Sequence, residues 1–182
     1  MRDAAAVRIR RMSDADLECV LKIAEGLREA PQWTAAAYLA AMDAENVPPR
    51  VALVAECDAE RDLELCESTE KQTAETKVPA YPPAKFRVVG FAVAAVIAGE
   101  AELETIAVSD SEQRRGVGGH LLRALVEEVR TQHAKSLHLE VRASNLAALQ
   151  FYHAQGFEET GRRRRYYADP EEDAVLMRLS MT

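Results

Sequence analysis

The stretch Leu103-Glu104-Thr105-Ile106-Ala107-Val108, Ser109-Asp110-Ser111-Glu112, Gln113-Arg114-Arg115-Gly116-Val117-Gly118-Gly119 decides how this chain is read. Its first part is a β-rich apolar run and reads as a buried strand. A short polar turn follows, and then glycines that open a proline-free amphipathic run from His120 to His133. A helix that begins on glycines leaves its first N–H groups open. The positive end of its dipole adds to them, so the segment makes an anion site. Arg114 and Arg115 set two permanent positive charges beside it. The expected ligand is therefore phosphorylated.

Two common phosphate binders are excluded. A P-loop needs a Lys and a Ser/Thr after its last glycine, and no Gly-Lys pair occurs in the chain. A dinucleotide fingerprint needs a third Gly or Ala where Leu121 stands. What remains is a Q/R-x-x-G-x-G/A pattern, Gln113 to Gly119.

Around this centre the chain alternates strands and helices. Val7 to Met12 reads as a strand, and Ser13 or Asp14 caps a helix running to about Arg28. Trp33-Thr34 opens a second helix, Ala35 to about Ala44, with Trp33 as its entry staple. Arg50–Cys57, Phe86–Ala98 and Glu102–Val108 read as strands, the last two joined by a hairpin at Gly99-Glu100-Ala101. Beyond the glycine helix, Ser136–Val141 is a strand. Ser144 or Asn145 then caps a helix to about Gln155, and Gly156 stops it. Phe157–Tyr167 and Ala174–Ser180 close the chain as strands, with Asp169-Pro170 as the turn. The order β-α-α-β-β-β-α-β-α-β-β predicts an α/β (α+β) fold with a mixed sheet and helices on both faces. We expect one domain over 1–182, interrupted at about 58–85 by a charged, proline-bearing insertion that reads as solvated.

The second half supplies context for the glycine segment. The residues Leu139-Glu140-Val141-Arg142-Ala143-Ser144-Asn145, then Ala148, Tyr152, Gly156-Phe157, Arg163-Arg164-Arg165-Tyr166-Tyr167 and Glu172-Asp173-Ala174 complete a pattern. With the Gln113–Gly119 loop it resembles the GNAT superfamily of acyl-CoA-dependent N-acetyltransferases. Within that superfamily it looks like the bacterial ribosomal-protein-alanine N-acetyltransferases. The resemblance covers Phe86 to the C-terminus well and the N-terminal helices weakly, and the insertion has no counterpart in it. It implies a single GNAT-type domain whose mixed sheet is mostly antiparallel.

Three chemical requirements then fall on named residues. Acetyl-CoA must be anchored. Backbone N–H groups of Arg114, Arg115, Gly116, Val117, Gly118 and Gly119 suit its pyrophosphate. The resemblance implies that Ile106, Ala107 and Val108 pair with the pantetheine arm as an added strand would, and that Asn145 binds the cofactor. The family often carries a basic residue where Gly119 stands, so one charge contact is absent here. Next, the amine must lose a proton. The resemblance assigns Glu140 as base, and its place in an apolar strand between Leu139 and Val141 suits that task, although an outward-facing glutamate in a salt bridge fits the same residues. Finally, the departing thiolate must be protonated, and the resemblance assigns Tyr152. Asn145, Ala148 and Tyr152 fall at i, i+3 and i+7 and share one helix face, with Phe151 turned toward the core. A half-buried tyrosine with a satisfied hydroxyl is the alternative. An oxyanion donor is expected among the Ala107–Val108 amides.

Substrate features are fewer. Glu102 and Glu104 are read on one strand face with Ile106, where Glu104 meets a cationic peptide N-terminus or only solvent. The resemblance gives Tyr167, with Tyr166, to orienting the acceptor peptide. The four arginines Arg162 to Arg165 alternate faces on a strand and form no single basic patch.

Composition bounds the remaining classes. The 182 residues carry 30 acidic and 23 basic side chains, a net charge of −7, which argues against a direct nucleic-acid surface. The three cysteines form no C-x-x-C, and the four histidines have no metal spacing, so no metal is expected. The N-terminus lacks an apolar signal region and no run is long enough to span a bilayer, so a cytoplasmic protein without a membrane role is expected. The partners expected are acetyl-CoA and a protein or peptide N-terminus, with a ribosomal protein's N-terminal alanine leading. Small amines, polyamines or aminoglycosides are the rival acceptors. A CoA-binding interaction module without chemistry is the rival of another class.

Overall fold

A computed structural model describes residues 7–27, 32–43, 45–58 and 86–181. Apart from Asp58, the expected insertion lies outside the described residues, as do Arg28 and Ala44, the expected ends of the first two helices. Among the described residues seven strands form one sheet: β1 Arg8–Arg11, β2 Arg50–Asp58, β3 Phe86–Ile97, β4 Glu100–Val108, β5 Ser136–Arg142, β6 Glu158–Ala168 and β7 Glu171–Ser180. Among the described residues four α-helices accompany them: α1 Leu17–Glu25, α2 Ala35–Met42, α3 Val117–Thr131 and α4 Leu146–Ala154. The order across the sheet is β1-β2-β3-β4-β5-β7-β6, and β4–β5 is the one parallel neighbour pair. The described residues therefore follow the expected element order.

Each face of the sheet carries its own core. Leu121, Leu122, Leu125 and Val129 of α3 pack with Val51, Leu53, Ala92, Leu139 and Phe157 on one side. Val20 and Ala24 of α1 and Tyr38 and Ala41 of α2 pack with Ala52, Val54, Phe91 and Val93 on the other. Local chemistry fixes the helix starts. The Thr34 hydroxyl accepts from the Ala37 N–H, and Trp33 lies with its ring centroid 5.3 Å from that of Tyr38. This is the hydrophobic staple expected of Trp33. Ahead of α1, a 3₁₀ turn at Asp14–Asp16 is tied to β1, because Arg10 grips the buried Asp16 carboxylate with both terminal nitrogens, at 2.6 and 2.7 Å. The β3–β4 hairpin turns on Ala98 and Gly99, both at positive φ, so β4 already begins at Glu100.

Two irregularities in the sheet position the site. First, β4 and β5 pair only through Ala101↔Leu137 and Glu102↔His138 and then part. Second, β4 carries a bulge: Thr105 pairs with Val93 and Leu103 with Ala94, leaving Glu104 as the extra residue. A bulge reverses which side chains face which way. Ala101 and Leu103 lie in the α3-side core, yet so do Ile106 and Val108, whereas Ala107 lies in the α1/α2-side core. The expected common face of Glu102, Glu104 and Ile106 is therefore broken at Glu104, and Ile106 stands on the opposite face from Glu102.

Candidate active site

Where β4 and β5 part, a cleft of about 770 Å³ opens. Its walls are Leu103 to Val108 of β4 and Leu139 to Arg142 of β5. Its ends are the glycine turn before α3 and one face of α4, and Tyr167 reaches it from β6. The residues expected at the site line this cleft, except Arg115 and Val117 at the glycine end and Glu102 and Tyr166 among the substrate-side residues.

The glycine end has the geometry of an anion site. Gly116 adopts φ +87°, a left-handed conformation in which a side chain is strained, and serves as N-cap of α3 without any side-chain cap. The His120 N–H already bonds to the Gly116 carbonyl at 3.1 Å, so the N–H groups of Val117, Gly118 and Gly119 are the ones left open by the helix. The α2 and α4 starts differ, since Thr34 and Asn145 fill their caps. A Cβ at Gly118 would meet the Phe151 ring at 3.5 Å, an ordinary contact distance, so that ring borders the mouth. Phe151 packs against the α3-side core as expected and also lines the cleft, which the sequence reading did not anticipate.

The two arginines separate. Arg114, at φ +58°, lines the cleft. Arg115 bonds instead to the buried Glu112 carboxylate at 2.9 Å, which Arg87 holds from the other side at 2.6 Å. Arg115 thus braces the turn.

Along the β4 wall, hydrogen-bond parity decides which backbone groups are open. The Ser109 N–H bonds to the Val89 carbonyl at 2.9 Å, so Ser109 and, two residues back, Ala107 and Thr105 direct their backbone toward β3. Ile106 and Val108 direct theirs into the cleft. The Val108 carbonyl indeed accepts from the Gln113 side chain at 3.1 Å. Of the three expected backbone partners, Ile106 and Val108 present the free edge, while Ala107 does not. The strand N–H groups open to the cleft are accordingly those of Ile106 and Val108.

At the other end stand Glu140 and Tyr152. Glu140 lies on the β5 face opposite the buried Leu139 and Val141, and its carboxylate receives Arg163 Nη1 at 2.8 Å. Tyr166 hydrogen-bonds to the same carboxylate, which raises the Tyr166 phenol above its usual range. Arg163 and Tyr166 reach Glu140 because β6 bulges between Arg163 and Tyr167, with Arg165 at φ +53°. The arginine run is thereby dispersed, as Arg162 pairs with Glu159, Arg163 with Glu140 and Arg165 with Glu171. Tyr152 is buried against Phe151 and Phe157, with centroids at 5.2 and 5.5 Å, and burial pushes its phenol well above the ordinary tyrosine value. Asn145 spends its Oδ1 on the Ala148 N–H at 3.0 Å, capping α4, and has its NH₂ left for a ligand.

Tyr167 is held by Arg142, whose guanidinium lies 4.2 Å from the ring centroid and also bonds to Glu172 and to the Asp169 carbonyl. Arg142 was not among the expected residues. Glu104 meets Arg50 in a two-pronged pair at 2.8 and 2.9 Å, so its charge is already matched on the α1/α2 side of the bulge. Among the described residues there is no cluster of His, Cys, Asp and Glu able to hold a metal, and no helix long and apolar enough to cross a membrane.

An anion-type helix mouth and a free strand edge thus share one splayed sheet with a carboxylate and a buried phenol. The chain belongs to the acetyltransferase (GNAT) family, whose model matches residues 39–157. It is 45% identical over 98 residues to the ribosomal protein bS18-alanine N-acetyltransferase of Salmonella typhimurium strain LT2, a stretch covering 53% of this chain and 66% of that protein, just under two thirds of its length. The crystal structure of the ribosomal-protein-alanine N-acetyltransferase from Escherichia coli superposes with a TM-score of 0.68 at 27% identity, covering 97% of this chain and 94% of that one. Ard1 from Thermoplasma volcanium does so with a TM-score of 0.70 at 28% identity, covering 97% and 99%.

Proposed function

We propose that this protein transfers the acetyl group of acetyl-CoA to the N-terminal α-amine of a protein, with the N-terminal alanine of a small ribosomal subunit protein as leading acceptor. The observation that carries the reading is the β4–β5 splay, with an uncapped helix mouth at one end and Glu140 and Tyr152 at the other. The similarity to the Salmonella enzyme supports the choice of acceptor.

Acetyl-CoA fits the cleft by its chemistry. Its diphosphate suits the open N–H groups of Val117 to Gly119 and the Arg114 side chain. Its pantetheine amides suit the free edge at Ile106 and Val108. When bound, it would supply an activated acyl group. A protein α-amine has an ordinary pKa near 8, so roughly a tenth is already neutral at pH 7 and a carboxylate suffices to take the proton. Glu140 takes it, directly or through one water. An Ile106 or Val108 N–H stabilises the charge that develops on the carbonyl oxygen. The Tyr152 phenol, kept protonated by its burial, gives its proton to the departing sulfur. Transfer is direct within a ternary complex, in the cytoplasm, and no metal takes part.

The test is an acetylation screen read by mass spectrometry. Peptides with N-terminal alanine and other N-terminal residues are compared with polyamines and aminoglycosides. The reading predicts acetylation of the α-amine of alanine-first peptides. Modification of small amines alone would replace the peptide acceptor, and binding of acetyl-CoA without any transfer would leave only a CoA-binding module.

A further inference from the structure

Three buried hydroxyls among the described residues have no hydrogen-bond partner: those of Tyr38, Thr105 and Ser109. Only Thr105 lines the cleft. It is 4% exposed and lies in β4 immediately beyond the bulge at Glu104. A buried hydroxyl without a partner is disfavoured, because it has given up water and received nothing in return. A valine of nearly the same shape would fill the place without that cost.

Its direction is informative. Thr105 alternates with Ile106, which packs in the α3-side core, and matches Ala107, which packs in the α1/α2-side core. Thr105 therefore points to the α1/α2 side of the sheet. On β5, Leu137, Leu139 and Val141 belong to the α3-side core, so Glu140 points to the α1/α2 side as well. The hydroxyl and the carboxylate thus stand on the same face, on the two strands that border the gap. The free backbone edge of Ile106 and Val108 runs beside them.

We propose that Thr105 is an amine-binding residue whose Oγ1 accepts a hydrogen bond from the acceptor amine, holding it between β4 and β5 while Glu140 takes the proton. This rests on the acetyl-transfer reading and adds to it a group that orients the nitrogen lone pair. The Arg50–Glu104 pair serves it indirectly, since it fastens the bulge that turns Thr105 to this face.

The test compares Thr105→Val and Thr105→Ser with the unaltered protein on whichever amine the latter acetylates. A hydrogen bond to a charged or charge-developing group corresponds to about a tenfold effect or more. Thr105→Val is expected to raise the acceptor KM about tenfold, with acetyl-CoA affinity by calorimetry unchanged and Tm equal or higher. Thr105→Ser is expected to restore the acceptor KM. An unchanged acceptor KM in Thr105→Val, or a lowered Tm with both substrates weakened alike, would overturn the proposal and leave the acetyl-transfer reading intact. Failure of the unaltered protein to acetylate any amine would overturn both.

Discussion

Glu140→Gln is expected to lower turnover by about 10²–10⁴-fold, the usual contribution of a positioned general base, while acetyl-CoA binds as before. The substitution keeps the shape of the side chain and removes only its ability to accept a proton. Stability should hardly change. The ion pair it breaks is with Arg163, which is 55% exposed, and such pairs contribute about 0–1 kcal/mol. Separating kcat from KM is the useful measurement. A base acts on the chemical step, so the loss belongs in kcat. A loss confined to the acceptor KM would show that the Glu140–Arg163–Tyr166 cluster binds the peptide and that the proton goes elsewhere. Undiminished turnover at neutral pH would remove Glu140 from the reaction.

Tyr152→Phe is the second large effect, a fall in kcat of about 10²-fold or more, again within the range of general acid catalysis. The aromatic packing with Phe151 and Phe157 survives, because only an oxygen is lost. The pH dependence follows from burial. The folded phenol titrates above the ordinary value near 10, while in the unfolded chain it ionises at that value. Its contribution to stability is therefore fully present below pH 10 and is lost as the pH rises from there through the folded pKa. Thermal unfolding of the unaltered protein should weaken in that alkaline window, and Tyr152→Phe should weaken less. The activity of the unaltered protein should not fall through loss of the Tyr152 proton anywhere below pH 10. An equal alkaline loss of stability in the variant would show that other groups govern it.

Much of the site was legible because it is written in local sequence. Gly116, Gly118 and Gly119 before an amphipathic run state a helix mouth without reference to the rest of the chain. Asn145, Ala148 and Tyr152 share a helix face by spacing alone. The succession of strands and helices along the chain also follows from local periodicity and turn residues. What was missed depends on long-range pairing. Glu102, Glu104 and Ile106 read as one face because alternation continues through the letters, and only the register against β3 shows that Glu104 is an extra residue. The same bulge separates Thr105 from Ile106, so the partnerless hydroxyl had no sequence signal. Arg50 reaches Glu104 across β3, and Arg163 and Tyr166 reach Glu140 through a bulge in β6. Their nearness is a property of the sheet. Arg115 looked equivalent to Arg114 until the buried Glu112 claimed it.

All of the chemistry proposed for this protein is arranged around diphosphate held at the mouth of α3. Isothermal titration calorimetry with acetyl-CoA, set beside acetyl-pantetheine, which lacks the diphosphate, measures that grip. One-to-one association with acetyl-CoA, far tighter than with the fragment, is the result expected. No heat with acetyl-CoA, or equal affinity for the two, would contradict the account.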